Sequence, residues 1–296
     1  MGMRFGLLGT GHWAAETQGA ALAAHPGAEL VAVWGRDGAK AAALAGRYGA
    51  TPYTDLDALL SEVDAVSIAL PPHVQAELAL RAATAGKHLL LDKPVAVDTA
   101  SADRIVAAVR ERDLSSVVFF TNRFRDNIVR FVEETAATGG WLGARVTQFA
   151  SIFQPGSPYG ASAWRRERGA LWDIGPHVLS VVLPVLGPVA EVSAVAGPRD
   201  TTHLTLRHTG GPVTTASLTL DAPVGAMLRD TDFYGEHGVV SMPVPEGSAV
   251  SAFGAAIDRL LRGGPDPCDV GFGREVVAVL EAGDIALREK RPVTVA

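Results

Sequence analysis

The chain has 296 residues, of which 48% are hydrophobic and 20% are charged, proportions typical of a globular protein long enough for two domains. Acidic residues outnumber basic ones, 32 to 26, and the net charge of −6 argues against a nucleic-acid partner or an anionic membrane surface. Cys268 is the single cysteine, which excludes an internal disulfide and suits a reducing compartment. Pro184 and Pro188 interrupt the longest apolar run, so we expect a cytoplasmic protein with no membrane span.

The first part of the chain alternates strand-like and helix-like segments with short connections. Apolar segments typical of strands lie at 4–9, 29–35, 64–70, 87–91 and 116–121. Alanine-rich segments typical of helices lie between them, at 13–24, 39–48, 74–85 and 100–112. This alternation predicts a doubly wound parallel α/β sheet with helices on both faces, which we assign to a first domain of residues 1–121.

After residue 121 the alternation stops. A helical segment at 124–137 is followed by a strand at 144–153. A long loop at 154–168 comes next, and then an apolar helix that extends to Leu186. Five strand-like runs then follow one another, at 189–195, 203–208, 213–220, 227–234 and 239–243, before a helix at 274–288 and a short strand at 292–295. Consecutive strands without helices predict an α+β second domain, residues 122–296, with a large open, mainly antiparallel sheet.

Glycines punctuate the turn that follows the first strand. The turn reads Gly9-Thr10-Gly11-His12-Trp13-Ala14, a G-x-G-x-x-A pattern between a strand and a helix. Gly9 allows a sharp turn, Gly11 allows the backbone to approach a pyrophosphate, and Ala14 allows the helix to pack closely on the strand. The amides at the helix start then face the phosphates. The alternative is a tight turn without a ligand, but the strand and helix context favours a dinucleotide-binding Rossmann domain.

The end of the second strand indicates which dinucleotide is bound. Proteins that bind NAD usually place an acidic residue there, whereas this chain reads Trp34-Gly35-Arg36-Asp37. Arg36 is placed to bind a 2′-phosphate through charge-assisted hydrogen bonds, and Trp34 or Arg36 to stack on adenine. We therefore expect NADP to be preferred over NAD. The alternatives are that Arg36 is a solvated turn residue, with Asp37 capping the next helix or reaching a ribose.

Two later motifs carry groups that suit proton transfer. Asp92-Lys93-Pro94 follows the strand predicted at 87–91, at the edge where open α/β sheets bind ligands. Asp173 and His177 are four residues apart, which places them about one helical turn from each other. Because Pro176 lies between them, the helix begins or bends there. Taken singly, Lys93 is more often a surface lysine, and Asp173 and His177 are also compatible with a helix cap and a packed core histidine.

Together, these blocks resemble the glucose–fructose oxidoreductase, inositol dehydrogenase and rhizopine-catabolism family, often called the Gfo/Idh/MocA oxidoreductases. Three blocks that match the family occur in the family's order, at residues 9–14, 92–94 and 173–177. The C-terminal segment at 281–295 is also similar to that of family members. The resemblance implies that Lys93 and His177 flank the reacting carbinol. His177 is then the general acid/base, Lys93 stabilises the alkoxide, and Asp173 orients substrate hydroxyls and the imidazole. Histidine suits such a transfer near neutral pH.

The resemblance also indicates the residues that contact the cofactor and the substrate. Cofactor contacts are expected from Gly9, Thr10, Gly11, His12, Trp13, Ala14, Trp34, Gly35, Arg36, Leu70, Pro71, His73, Asp92, Lys93 and Pro94. Substrate contacts are expected from Lys93, Asn122, Arg123, Trp164, Arg165, Asp173 and His177. Aromatic faces beside hydrogen-bonding cations suit a polyhydroxylated ring; the alternative is a surface loop whose arginines meet solvent or a neighbouring subunit.

The chain departs from the family pattern in two places. After the strand predicted at 64–70, Pro72 and Gln75 stand where many members have asparagine and histidine, so contacts to the nicotinamide ribose are left to the backbone or to His73. Before Asp173, the usual triple glycine is reduced to Arg168-Gly169-Ala170, which leaves the substrate pocket narrower or more charged. Cys268 has no neighbouring cysteine or histidine, and we expect no metal site.

These expectations define an oxidoreductase that moves hydride between NADP or NAD and a hydroxyl or carbonyl carbon of a sugar, sugar acid or cyclitol. Two other functions are compatible with the same fold: a glycosidase that uses tightly held NAD, and a non-catalytic nucleotide sensor. The intact Lys93, Asp173 and His177 disfavour the sensor. The resemblance implies a homodimer or homotetramer formed through the open sheet, which would otherwise be an exposed aggregation hazard.

Overall fold

The computed structural model describes residues 2–296, which form two compact units. Within the described residues, unit 1 comprises residues 2–125 and Gly247–Arg274, and unit 2 comprises Asp126–Glu246 and Glu275–Ala296. The chain therefore returns to unit 1 after Glu246, whereas the sequence analysis places one continuous boundary between residues 121 and 122. The returning segment could not be assigned from its own pattern, because an amphipathic helix does not reveal which core its apolar face completes.

Unit 1 contains the predicted parallel sheet. Its six strands lie in the order β3-β2-β1-β4-β5-β6, and every neighbouring pair is parallel. The strands are β1 Met3–Leu8, β2 Ala28–Trp34, β3 Thr51–Tyr53, β4 Ala65–Ile68, β5 His88–Asp92 and β6 Ser116–Phe119. The strand order reverses between β1 and β4, and ligands of such sheets bind at the carboxyl ends of the strands near this reversal. The predicted α/β class is confirmed.

Helices connect these strands. The first is a π-helical turn that continues as an α-helix, and the others are α-helices apart from one 3₁₀ turn: Ala14–Gly19, Ala20–Ala24, Gly38–Tyr48, Leu56–Leu60, Pro72–Thr84, Thr99–Glu111 and Thr121–Phe124. Aspartate side chains satisfy the free amides at three helix starts, with Asp37, Asp55 and Asp98 as the caps. Sequence therefore determines where these helices begin.

The segment that returns to unit 1 forms the Ala249–Arg262 helix. Ser248 caps its start through a reciprocal hydrogen-bond pair with Ser251. Phe253 on its buried face lies edge-on to Phe119 of β6, with the ring centroids 4.8 Å apart. Aromatic pairs in this geometry contribute about 0.5–1.5 kcal/mol beyond their burial. The helix therefore completes the core of unit 1.

Unit 2 is built on a seven-stranded sheet in the order β12-β11-β7-β10-β9-β8-β13. Only the β10–β7 pair is parallel, which confirms the mainly antiparallel prediction. The strands are β7 Trp141–Phe149, β8 Val189–Ala196, β9 Thr202–His208, β10 Val213–Thr219, β11 Leu228–Gly235, β12 Gly238–Ser241 and β13 Val293–Thr294. Its helices are Asp126–Thr138, Ala163–Asp173 and Gly175–Leu186. The Val270–Glu289 helix belongs to unit 2 from Glu275 onward.

One face of this sheet is covered and the other is open. Along β9 the side chains alternate strictly, with Leu204 and Leu206 buried and His203 and Thr205 exposed. A period of two is the pattern of a strand with one solvated face. The covering helices include the segment Ala163–Leu186, which has the length and mean hydropathy of a membrane span, but 83% of its most apolar 18-residue window is buried inside the protein. Buried core helices meet the same criterion.

His208 is a titratable group in the interior of unit 2. It is 0% exposed, with Nδ1 2.7 Å from Gly187 O and Nε2 2.9 Å from Thr214 Oγ1. Burial lowers the pKa of His208 below 6.5, because the charged ring loses its hydration. The folded chain therefore binds this proton less readily than the unfolded chain does.

We expect the free energy of unfolding to fall as the pH drops below about 6.5, by at most about 1.4 kcal/mol per pH unit from this one proton. Urea unfolding between about pH 8 and pH 5 measures the slope. His208→Gln removes the titrating group and is expected to reduce the dependence of the unfolding free energy on pH. An unchanged slope in this variant would contradict the assignment.

Candidate functional site

The turn after β1 requires glycine at position 9. Gly9 has a φ of +125°, which is disfavoured for residues with a side chain. A Cβ here would lie 2.6 Å from the carbonyl oxygen of Ala69, which follows β4. The Gly9 amide also donates to the carbonyl oxygen of Trp34 at the end of β2, over 3.0 Å. The turn is therefore held between the two strands that neighbour β1.

Gly11 and Ala14 open the space before the first helix. Apart from its chain neighbours, no atom lies within 4 Å of the position that a Cβ at Gly11 would take. Helical hydrogen bonding begins here, since Ala15 N donates to Gly11 O at 3.0 Å, and Ala14 is 1% exposed against the core. The amides at a helix start bind anions. The turn therefore fits a pyrophosphate, as a dinucleotide requires.

The remaining residues of the turn have different surroundings. A Cβ on Gly35 would lie 2.7 Å from Thr10 Cγ2, so the turns after β1 and β2 are in contact. His12 is exposed and Trp13 is half-buried. Among the described residues, the buried Nε1 of Trp13 has no hydrogen-bond partner, which leaves a donor beside the turn. The Trp13 ring packs 6.4 Å from that of Phe119.

After β2, Arg36 is the exposed cation. Trp34 is 8% exposed and its Nε1 donates to Thr54 O at 2.9 Å, so this indole supports the turn. Asp37 Oδ1 accepts hydrogen bonds from two backbone amides, at 3.0 and 3.1 Å, and caps the next helix. One carboxylate oxygen is therefore engaged in the cap, while Arg36 extends into solvent.

Lys93 follows β5 directly and is half-buried. Its amide donates to Asp92 Oδ1 at 2.8 Å, and the Lys93–Pro94 peptide bond is cis. Since the sheet is parallel, the carboxyl ends of β1 and β5 lie at one edge. The turn at Gly9 and the amine of Lys93 therefore belong to the same edge of unit 1, where ligands of such sheets bind.

The loop between β4 and the Pro72–Thr84 helix lies at the same edge. Leu70 and Pro71 are half-buried, and His73 is exposed. Gln75 is 0% exposed and forms hydrogen bonds to the backbone on both sides of Lys93. The sequence analysis considered Gln75 only as a departure from the family pattern and missed this contact.

Asn122 and Arg123 lie in the 3₁₀ turn after β6, in unit 1. Asn122 is half-buried and Arg123 is 8% exposed. The Arg123 guanidinium lies 6.0 Å from the ring centroid of Phe272, and its carbonyl oxygen accepts a hydrogen bond from Arg259 at 2.9 Å. These contacts build Arg123 into unit 1, and its expected substrate contact stays a prediction.

In unit 2, Arg165 and Asp173 form an ion pair. Arg165 Nε donates to Asp173 Oδ2 over 2.9 Å, and Asp173 is 6% exposed. The guanidinium lies 4.8 Å from the ring centroids of both Trp164 and Tyr159. Cations are attracted to aromatic faces at this distance. The structure thus brings three residues of the predicted substrate set together: Trp164, Arg165 and Asp173.

His177 lies in the first turn of the next helix. The Ala163–Asp173 helix ends at Asp173 and the Gly175–Leu186 helix begins two residues later, which confirms the break expected at Pro176. His177 is half-buried, and its carbonyl oxygen accepts a hydrogen bond from Ser180 Oγ at 2.8 Å. Lys93 belongs to unit 1, whereas Asp173 and His177 belong to unit 2.

Asp200 determines the shape of the segment that leads to Asp173. Gly169 has a φ of +67°, and a Cβ there would overlap Asp200 Oδ1. Asp200 Oδ2 accepts a hydrogen bond from Ala170 N at 3.1 Å, and partial burial of this carboxyl raises its pKa. The one glycine kept from the family's triple glycine is therefore the one that this geometry requires.

Gln18 is a second buried glutamine that the sequence analysis missed. It is 0% exposed, and its Oε1 accepts a hydrogen bond from Ser67 Oγ at 2.7 Å, which ties the first helix to β4. Gln18 and Gln75 occupy positions on the buried faces of their helices. A glutamine at a position where the helical period expects an apolar residue is the signal that could have found both.

The part of the chain that the structure describes contains no candidate metal centre. Within residues 2–296, no group of three or more His, Cys, Asp or Glu side chains is placed to hold a metal ion. Cys268 is buried, and burial raises the pKa of its thiol to about 11. This cysteine is therefore protonated at neutral pH, and its buried Sγ lies 3.9 Å from Arg259 Nη1.

Two family profiles match the chain. The profile described as "Oxidoreductase family, NAD-binding Rossmann fold" matches residues 3–120. The profile described as "GFO/IDH/MocA C-terminal domain" matches residues 135–241. The first match covers the whole parallel sheet of unit 1, and the second covers most strands of the unit 2 sheet. Unit 1 therefore carries an NAD-binding Rossmann fold.

Two curated relatives are reductases or dehydrogenases of sugars. The dTDP-3,4-didehydro-2,6-dideoxy-alpha-D-glucose 3-reductase of Streptomyces antibioticus is 31% identical over 194 residues, which are 63% of this chain and 57% of that protein. The levoglucosan dehydrogenase of Pseudarthrobacter phenanthrenivorans is 32% identical over 143 residues, 45% of this chain and 36% of that protein. The chain thus covers less than two thirds of the length of either relative.

Solved structures share the fold along the whole chain. The WlbA dehydrogenase of Bordetella pertussis, in complex with NADH and UDP-GlcNAcA, superposes with a TM-score of 0.85 at 22% identity, covering 100% of this chain and 99% of that one. The shared fold includes the segments that lie outside the two profile matches. On these matches, the chain belongs to the Gfo/Idh/MocA family of oxidoreductases.

Proposed function

We propose that this protein is an NAD(P)-dependent oxidoreductase that transfers hydride between a nicotinamide and a hydroxyl or carbonyl carbon of a sugar, sugar acid or cyclitol. The observation that carries the proposal is the edge of the unit 1 sheet formed by the carboxyl ends of its strands. Both the open turn at Gly9 and Gly11 and the residue Lys93 lie at this edge. The names of the curated relatives support the substrate class. A bound nicotinamide would supply the hydride acceptor or donor.

In the proposed reaction, protein groups handle the proton while hydride moves. A carbinol loses hydride only as its hydroxyl loses a proton, and His177 is proposed to take this proton, as imidazoles do near neutral pH. Lys93 is proposed to stabilise the negative charge that develops on the oxygen. Asp173 is proposed to accept hydrogen bonds from substrate hydroxyls, while the bond from Arg165 holds its carboxylate in a fixed direction.

The cofactor is proposed to be NADP in preference to NAD. The support is the exposed Arg36 at the end of β2 and the engagement of Asp37 in a helix cap. A guanidinium binds phosphate through bidentate, charge-assisted hydrogen bonds. Asp37, the carboxylate that would bind the ribose hydroxyls, already accepts hydrogen bonds from two backbone amides.

Replacing Arg36 by alanine is expected to raise the Kd of NADP by about 10- to 100-fold, the loss of one charge-assisted contact. The Kd of NAD is expected to stay unchanged. Fluorescence or calorimetric titration of both nucleotides measures the difference. Arg110→Ala, at an exposed arginine of the Thr99–Glu111 helix, is the matched control. Equal changes in the two Kd values would reject the phosphate contact.

The substrate can be identified with a panel. Purified protein is incubated with sugars, sugar acids and cyclitols in the presence of NADP or NAD, and nicotinamide absorbance reports turnover. At least one polyhydroxylated compound is expected to change the absorbance at a rate that saturates with its concentration. If no member of the panel, in either direction of reaction, changes the absorbance, the proposed activity is wrong.

The assembly is proposed to be a cytoplasmic homodimer or homotetramer that associates through the open face of the unit 2 sheet. This face exposes Arg145, His203 and Thr205, and Val195 at the end of β8 is 66% exposed. A broad sheet face that no helix covers is available to a second copy of the chain. Sedimentation equilibrium of the purified chain measures the number of subunits.

A further inference from the structure

The side chain of Gln75 forms three hydrogen bonds to the chain segment that contains Lys93. Gln75 Nε2 donates to Asp92 O at 2.7 Å and to Pro94 O at 3.0 Å, and Gln75 Oε1 accepts from Asp92 N at 3.0 Å. Both protons of the amide nitrogen and the amide oxygen are therefore engaged. The side chain is 0% exposed, so water does not compete for these bonds.

These bonds surround Lys93 in the chain. One partner precedes it and the other follows it, so the backbone of the lysine is fixed from both sides. The amide of Lys93 itself donates to Asp92 Oδ1 at 2.8 Å. Gln75 is the side chain that engages Asp92 N, Asp92 O and Pro94 O on either side of the lysine. Loss of these three hydrogen bonds is expected to let the segment shift or admit water.

The position of Gln75 is itself determined by the sequence. Pro71 and Pro72 begin the helix, where proline is favoured because its missing amide is not needed. The amides of Val74 and Gln75 both donate to Pro71 O at 2.9 Å. The first helical turn therefore places Gln75 on the buried face, opposite the segment after β5.

We propose that Gln75 is a positioning residue for Lys93: it does not contact the substrate, and it sets where the lysine amine stands relative to the reacting oxygen. This inference rests on the proposed function, in which Lys93 stabilises the developing charge. Displacement of a catalytic group by about 1 Å costs on the order of 100-fold in rate. Gln75 thus acts through Lys93.

Gln75→Met keeps the volume and removes all three hydrogen bonds, and Gln75→Glu keeps the length and the acceptor but removes the donors at neutral pH. Both variants are expected to lower kcat by about 10- to 100-fold and to leave the Kd of the nucleotide unchanged. Ile105→Ala is the control for lost stability, since the apolar side chain of Ile105 is 0% exposed and has no polar atom that could bond to the segment 92–94. It is expected to keep kcat per folded molecule. A wild-type kcat in both Gln75 variants overturns the proposal.

Two further measurements separate positioning from a general structural effect. In the Lys93→Met background, Gln75→Met is expected to cause no additional loss of kcat, because its effect passes through the lysine. An additive loss overturns the proposal. Hydrogen–deuterium exchange of peptides that contain residues 90–96 is expected to rise in Gln75→Met and not in Ile105→Ala. Unchanged exchange at this segment overturns the proposal.

The exchange measurement needs no substrate, so it distinguishes the two possible failures. If exchange rises but the wild-type protein turns over no member of the panel, the proposed function is wrong while the contact between Gln75 and the Lys93 segment stands. If the wild type is active and kcat is unaffected by both Gln75 variants, the proposed function stands and the positioning role is wrong.

Discussion

Lys93→Met is expected to lower kcat by about 10²–10³-fold, the loss seen when one donor to a developing oxyanion is removed. Methionine has nearly the length of lysine but carries no positive charge and no donor, so packing at the end of β5 is preserved. The Kd of NADP or NAD is expected to change little, because the phosphate-binding turn lies at Gly9 and Gly11 on β1. Steady-state kinetics and nucleotide titration give the two values separately.

Lys290→Met is the matched control for this substitution. Lys290 is an exposed lysine that follows the Val270–Glu289 helix, and its loss is expected to leave kcat unchanged. If Lys93→Met keeps the wild-type kcat, the lysine takes no part in the reaction. A parallel loss of nucleotide affinity would instead make it a binding residue.

His177→Asn is expected to lower kcat by about 10²–10⁴-fold, the usual contribution of a positioned general acid or base. Asparagine keeps a polar side chain of similar reach but does not exchange a proton near neutral pH. The limb of the pH–rate profile that reports the base is therefore expected to disappear in the direction of alcohol oxidation. The measurement is kcat against pH for both proteins.

His237→Asn is the control for this prediction, because His237 is an exposed residue of the turn between β11 and β12. Its kcat and pH profile are expected to match those of the wild type. A pH–rate profile of His177→Asn that keeps the same limb would show that another group takes the proton.

The fold was predictable wherever a strand has a clear period or is uniformly apolar. The segments predicted at 29–35 and 203–208 match β2 and β9 within a residue, because one is a buried parallel strand and the other alternates strictly. β3, Thr51–Tyr53, escaped prediction because three residues with a central proline show no period. Short edge strands form only once a neighbouring strand offers hydrogen bonds.

The candidate site was predictable in its motifs and not in its support. Gly9 and the break before His177 follow from local chemistry, since a positive φ and a proline act on their own neighbours. The contacts of Gln75 join residues 17 and 19 positions apart, and the Asp200 contact spans 30 positions. No local pattern encodes such pairings, because they depend on how the helices pack.

Transfer of label tests the proposed hydride reaction most directly. A substrate found with the panel is deuterated at the carbon that bears the reacting hydroxyl, and the nicotinamide is examined by mass spectrometry after turnover. We expect one deuterium on each reduced nicotinamide and one carbonyl product for each reduced cofactor, with both formed about 10²–10³-fold more slowly by Lys93→Met. Release of a sugar without net reduction of the cofactor, or an unlabelled reduced nicotinamide, would contradict hydride transfer as the function of this protein.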